Sequence, residues 1–296
     1  MTGYDFDWVD AFADRPFGGN GCVVVHGAAA LDAGARMALV RETSLSECAY
    51  VVPSDRADFG ARYYLADREI LMAGHPTIAT VRSLVHRGLV DLSSGEARFT
   101  LEVGAGVLPI RVTLRDGVPL IAMTQARPVF GPWQDAAEVA AIFGLTAGDV
   151  AAPPRVVSTG TPFCVVLLQG RAALDRARLD AGRLRDWQAR AGVDRLMEPF
   201  LATLGGATAG GDTFARLLLA PPLPAEDPFT GSATGCMAAY LWAGGHIPRP
   251  DFVAEQGHGL GRPGRAEVSV LGPPDDIAGV VVAGQGVVLM EGRLRL

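Results

Sequence analysis

Three side chains able to move or hold a proton stand where polar stretches interrupt apolar ones: Glu47, His75 and Asp227. Glu47 lies in Ser44-Leu45-Ser46-Glu47-Cys48-Ala49-Tyr50-Val51, which reads as a strand with Glu47, Ala49 and Val51 on one face. A carboxylate there is either a solvated strand-edge group, the usual state of a Glu, or a desolvated acid/base. Burial disfavours its charged form and lifts its pKa toward neutrality, which suits proton transfer. His75, one residue before Pro76, could move a proton or donate to a bound anion; the alternative is a helix-capping imidazole bonded to backbone. Asp227 precedes Pro228-Phe229-Thr230-Gly231-Ser232. An acid ahead of a helix start stabilises its positive end, or it holds a substrate amine or hydroxyl while free N–H groups hold a substrate carboxylate.

The elements that position these groups read as a pair. Leu71-Met72-Ala73-Gly74-His75-Pro76-Thr77-Ile78-Ala79-Thr80 is a helix start. Gly relaxes the backbone, and Pro fits the first turn because its missing N–H has no partner there anyway. The helix is predicted from Pro76 to about His86, with Ile78, Val81, Leu84 and Val85 on its buried face. Far down the chain Phe229-Thr230-Gly231-Ser232-Ala233-Thr234-Gly235-Cys236 aligns with it, Ala73 on Thr230, Gly74 on Gly231, His75 on Ser232 and Thr77 on Thr234. Phe59–Ala66 leads into the first and Phe214–Ala220 into the second, each a strand. Two matches in the same order point to a duplicated half.

The 296 residues suggest two domains of about 150 each. With 49% hydrophobic and 20% charged residues the chain can build real cores, and a net charge of −6 without a basic patch argues against nucleic acid. All 26 basic residues are Arg. Without Lys there is no Schiff base to a pyridoxal or aldol substrate and no P-loop lysine. Cys22, Cys48, Cys164 and Cys236 sit apart in apolar runs and read as buried free thiols of a reducing compartment. No signal-peptide order or long apolar span is seen, so a cytoplasmic protein away from membranes is expected.

Along the chain, strands are expected at Tyr4–Trp8, Cys22–His26, 47–52, 60–65, 97–102, 107–115 and 118–124, with a helix from Leu31 to Thr43 and a hairpin turn at Asp116-Gly117. Past a break at Ala126-Arg127-Pro128 come a helix over Asp135–Phe143 and strands at Arg155–Ser158 and Cys164–Leu168. A surface helix over Ala172–Ala191, broken near Asp180–Gly182, precedes strands at 197–203 and 213–219. A helix over Ser232–Trp242 follows, then strands near 265–271, 278–283 and 286–295. This is an α+β pattern of two strand-rich, mostly antiparallel halves, 1–125 and 126–296, the last strand being able to return to the first half. The glycine-rich Gly18–Gly21 and Gly257–Gly264 run into strands and are turns rather than dinucleotide loops, with Arg262 either pairing a carboxylate or structural. No metal-ligand spacing or Gly-x-Ser-x-Gly elbow occurs.

Taken together, Val9-Asp10-Ala11-Phe12, Pro16-Phe17-Gly18-Gly19-Asn20, Ser44-Leu45-Ser46-Glu47, Ala73-Gly74-His75-Pro76-Thr77, Glu226–Ala233 and Gln256-Gly257…Arg262-Pro263 resemble the PhzF-like isomerases of phenazine biosynthesis. The resemblance spans almost the whole chain. It implies the diaminopimelate epimerase-like fold: two pseudo-symmetric halves, each a curved sheet or barrel around a central helix, with the active site between them. It assigns the acid/base to Glu47 and places His75, Asp227 and Ser232 around the substrate, with Gly74, Thr230, Gly231 and Ala233 at the two helix starts. It implies no metal, no organic cofactor and commonly a homodimer, acting on a small-molecule carboxylate; the best-known reaction isomerises a dihydro-hydroxyanthranilate. The chain departs from the family pattern at Ser44, where Asn is usual, at Gly21, where Pro is usual, and at Phe229, bulkier than the usual Ala. Related two-thiol racemases carry Cys at the positions of Ala73 and Thr230, so two-thiol chemistry is not expected. The function this predicts is a cofactor-independent isomerase. An epimerase or lyase on the same scaffold, or a catalytically silent binder, are the alternatives.

Overall fold

A computed structural model describes residues 3–194 and 196–296. Its strands are β1 (Gly3–Ala11), β2 (Asn20–Val25), β3 (Cys48–Val52), β4 (Phe59–Tyr64), β5 (Glu69–Ile70), β6 (Glu96–Val103), β7 (Gly106–Arg115), β8 (Val118–Gln125), β9 (Val129–Trp133), β10 (Arg155–Ser158), β11 (Pro162–Leu167), β12 (Phe200–Leu204), β13 (Thr213–Leu218), β14 (Glu226–Asp227), β15 (Asp251–Gln256), β16 (Gly264–Leu271), β17 (Gly279–Gly284) and β18 (Gly286–Arg295). Helices are α1 (Ala33–Thr43), α2 (Gly74–His86), α3 (Ala136–Ile142), α4 (Arg171–Arg176), α5 (Ala181–Arg190) and α6 (Gly231–Ala243). The chain divides into two compact units, Met1–Thr124 with Val282–Leu296, and Gln125–Val281.

In the first unit β1 pairs antiparallel with β18 and β2, β3 with β4, β4 with β5, and β6 with β7 and β7 with β8, while β2–β3 and β4–β6 are parallel. The second unit repeats the plan. β10 pairs antiparallel with β9 and β11, β12 with β13, β13 with β14 and β15 with β16, while β11–β12 and β13–β15 are parallel. Four parallel pairs thus interrupt the expected antiparallel pattern. Each has a helix between its strands, because a parallel neighbour needs the chain carried back to its starting edge.

Helix α2 is the buried axis of the first unit, packed on β1, β2, β3 and β18, and everything from Gly74 to Val81 is buried. Ile78, Val81 and Leu84 are fully buried as expected; Val85 is only half-buried. Helix α6 occupies the same place in the second unit, against β10, β11, β12 and β16, buried from Gly231 to Leu241. A second layer covers the other sheet face. Val23 and Val25 join Tyr50, Tyr64 and Val40 of α1 in one cluster. With both faces covered, all six residues of β2 are buried, which is why it reads as a continuous apolar run. In the second unit α3, α4 and α5 play this part around Trp187 and Phe143.

Some boundaries move. Helix α2 begins at Gly74, two residues before the expected start, so that Pro76 sits third in the first turn, where it still needs no N–H partner. Helix α6 begins at Gly231. The surface helix is two, because the chain leaves helical geometry at Ala177 and Asp180 caps α5 through the N–H groups of Gly182 and Arg183. Glu47 is not in a strand. Ser44 ends α1 in the left-handed region at φ 55°, and β3 starts only at Cys48, which pairs with Val23 and Tyr64.

Candidate active site

The first unit brings Glu47, Gly74 and His75 together at the start of α2. Glu47 Oε2 lies 3.8 Å from His75 Nδ1, with the Glu47 side chain 16% exposed and His75 nearly sealed at 3%. Burial alone pulls the His75 pKa down to about 3, so the imidazole is neutral at pH 7 and this contact is not an ion pair. Asn20 Nδ2 stands 3.1 Å from the same Nδ1. His75 Nε2 and Ser46 Oγ are buried and have no hydrogen-bond partner among the described residues. No side chain caps α2, whose N-cap is Ala73. The N–H groups of its first turn and its positive dipole end are suited to an anion. Thr77 secures the turn by donating to the Ala73 carbonyl at 2.6 Å, and Tyr63 bonds the Thr77 hydroxyl at 2.9 Å.

Asn20 reaches His75 because Gly19 lets the chain pass close beneath it. Gly19 has φ +50°, and a Cβ there would lie 2.0 Å from the Ala11 carbonyl oxygen. Asp10 fixes the preceding turn by accepting from the Phe17 N–H at 2.7 Å.

The second unit gathers Asp227, Thr230, Gly231, Ser232 and Ala233 at the start of α6. Here the N-cap Thr230 donates its hydroxyl to Asp227 Oδ2 at 2.5 Å. Gln256, 1% exposed, accepts from the Thr230 N–H at 3.0 Å and donates to the Asp227 carbonyl at 2.7 Å. Gln125 donates to the Gly231 carbonyl at 2.9 Å and accepts from Thr159 at 2.5 Å. Thr234 donates to the Thr230 carbonyl at 3.0 Å, the counterpart of the Thr77 bond. Ser232 and Ala233 are buried in the first turn. The bulk of Phe229, a departure from the family pattern, is taken up by Gly264, where a Cβ would meet the ring at 2.5 Å.

Sequence reasoning did not single out Asn20 or Gln256 as site residues, although both lie in motifs that carry the resemblance, and nothing in the sequence marked Gln125. Arg262 is half-buried, its N–H bonded to the Gly257 carbonyl. The four thiols are buried and free, and desolvation raises every one of their pKa values. Asp7, His86 and Glu291 bring potential metal-ligand atoms within 4.8 Å of one another, but Asp7 is held by Arg87 through two bonds of 2.7 and 2.8 Å.

A family model described as phenazine biosynthesis-like protein matches residues 9–292. The trans-2,3-dihydro-3-hydroxyanthranilate isomerase of Pseudomonas aeruginosa is 29% identical over 291 residues, 97% of this chain and 98% of that protein. A solved structure from the same organism, described as a predicted epimerase, superposes with a TM-score of 0.83 at 32% identity over 99% of both chains. The phenazine biosynthesis protein of the PhzF family from Bacillus anthracis gives 0.86 at 24% identity over 100% of both, which establishes the α+β fold class independently of sequence.

Proposed function

This chain belongs to the phenazine biosynthesis-like protein family, and on that premise we propose that it is a cofactor-independent isomerase that moves a proton within a small cyclic or unsaturated carboxylate, an amino or hydroxy acid. Glu47 is the acid/base. Its carboxylate takes a proton from a substrate carbon next to a conjugated system, and the C–H electron pair spreads into that system. The resulting carboxylic acid returns the proton to another carbon, so no oxidant or reductant is needed. The single observation behind this reading is a partly desolvated Glu47 carboxylate 3.8 Å from a buried, neutral imidazole at an uncapped helix start.

In this reading the backbone at Gly74 in the first unit, and that at Gly231 with Ser232 and Ala233 in the second, are each suited to a carboxylate, and Asp227 to an amine or hydroxyl. Thr230 has its hydroxyl and N–H engaged with Asp227 and Gln256, so it positions Asp227. No helix among the described residues is long and apolar enough to cross a membrane. A cytoplasmic homodimer belongs to the same proposal.

The test uses trans-2,3-dihydro-3-hydroxyanthranilate, the substrate named for the 29% identical relative, in D2O. The wild type isomerises it with deuterium delivered to the new carbon, and Glu47→Gln does not. Equal rates for the two proteins would remove Glu47 from the mechanism. The 32% identical structure described as a predicted epimerase favours a second reading, epimerisation, which a product of unchanged connectivity and one inverted centre would reveal.

A further inference from the structure

His75 has one ring nitrogen answered by the protein and one that is not. Asn20 Nδ2 lies 3.1 Å from Nδ1, and both residues are 2% exposed. Nε2 is buried and has no partner among the described residues. An amide nitrogen is only a donor, so the ring nitrogen facing it must be the acceptor, and the single proton of a neutral imidazole then sits on Nε2. The other tautomer would set two donors against each other at Nδ1 and bury a bare lone pair at Nε2. Burial holds the ring neutral across the physiological range, which removes the third possibility, a doubly protonated ring. The Glu47 carboxylate, at 3.8 Å from Nδ1, is too far to claim that nitrogen by a hydrogen bond.

We propose that Asn20 is a positioning residue that fixes His75 as the Nε2–H tautomer, so that the imidazole acts as a neutral hydrogen-bond donor to a substrate oxygen and not as a second base. A donor of that kind is matched to the oxygen of a carboxylate or enolate, on which negative charge grows as Glu47 removes the carbon-bound proton. The division of labour follows: Glu47 carries the proton, His75 steadies the charge left behind, and Asn20 keeps the two roles from being exchanged. The assignment also gives a reason for the Gly19 backbone, since a side chain at that position would displace the segment that delivers Asn20. It rests on the isomerase reading for its place in the reaction, but not for the tautomer.

The tautomer is read directly by nitrogen-15 NMR of protein labelled at its five His residues, with His75→Gln used to assign the ring. Wild type is expected to show a pyridine-type Nδ1 and a pyrrole-type Nε2, unchanged from pH 8 to pH 5. Asn20→Asp offers an acceptor in the same shape and reverses the pattern. Asn20→Ala, which adds no buried charge, gives a mixture of tautomers while circular dichroism stays native. With trans-2,3-dihydro-3-hydroxyanthranilate, the Asp variant loses kcat by about a hundredfold or more, as a wrongly protonated catalytic imidazole does, with KM changed less than kcat. A pyrrole-type Nδ1 in the wild type, an unchanged spectrum in both variants, or a reversed spectrum with full activity would each overturn the assignment. The spectrum requires no substrate, so its failure is distinguishable from failure of the Glu47 mechanism, which Glu47→Gln reports separately.

Discussion

The two units place the same helix in the same frame, leave both starts without a side-chain cap, and surround the N-cap residue differently. Helices α2 and α6 are both 13 residues long, and in each a threonine hydroxyl returns to the carbonyl of the N-cap residue. At α6 the polar groups around the N-cap are answered from within: Thr230 by Asp227 and Gln256, and Gly231 by Gln125. At α2 the N-cap is an alanine, and a ring nitrogen and a serine hydroxyl close to Glu47 are buried with no partner among the described residues. Buried polar groups without partners cost stability, and they are tolerated where a ligand is to supply the missing bond. If the proposed function holds, the difference assigns proton transfer to the first unit and substrate holding to the second.

The supporting strands differ in the same sense. Arg216 on β13 forms a two-pronged pair with Glu226 on β14, at 2.9 and 2.6 Å, next to Asp227. Its counterpart joins Arg62 on β4 to Glu69 on β5 at 3.8 Å, with more of both side chains in water. The pair beside Asp227 is therefore the stiffer one.

This contrast can be broken in four ways. The largest effect is expected for Glu47→Gln, which should lower kcat by roughly 10³-fold, measured as deuterium delivery to product. A comparable loss from Asp227→Asn with KM unchanged would instead put proton transfer in the second unit.

Next comes the pH dependence carried by His75. Its folded pKa, about 3, lies below the ordinary value of 6.5, so the unfolded chain binds the extra proton first. Its contribution is complete above pH 6.5 and is lost as pH falls toward 3. At pH 4.5 the wild type should have lost roughly 2–3 kcal/mol relative to pH 7 that His75→Gln does not lose, read from denaturant unfolding of both proteins. Equal losses would mean that the ring is charged when folded.

Gln256→Leu removes the partner of the Thr230 N–H and of the Asp227 carbonyl. It should cost about 2 kcal/mol in unfolding free energy and raise KM severalfold with kcat largely kept. A collapse of kcat at constant KM would contradict a holding role.

The smallest effect sharpens the strand comparison. Arg216→Ala should destabilise by about 2 kcal/mol and Arg62→Ala by less than about 1, because the first leaves Glu226, whose side chain is only 10% exposed, without its partner. Similar values for both would show that the two halves are equally stiff here.

Much of the frame was legible because it is written in local patterns. Small residues and a Pro or Gly in sequence mark both helix starts, and the aligned positions Ala73/Thr230, Gly74/Gly231, His75/Ser232 and Thr77/Thr234 mark the repeat. The sites of Gln125, Asn20 and Gln256 were less legible, for a shared reason. An amide has no charge or periodicity to betray it, and the bonds that matter span 106, 55 and 26 residues. Glu47 was placed one residue too far into its strand because hydropathy alone cannot see where the pairing of β3 with β2 begins.

The sequence by itself determined the duplicated α+β plan, the identity of the two helix starts and the exclusion of lysine chemistry, since these depend on residue type and short-range spacing. Only the tertiary structure decided that His75 is neutral and has one nitrogen without a partner among the described residues, that Thr230 is spent on Asp227, and that Gln256 and Gln125 brace the N-cap of one helix while an alanine stands at the other. Those are consequences of desolvation and of hydrogen bonds closed between distant segments, and no local pattern encodes them.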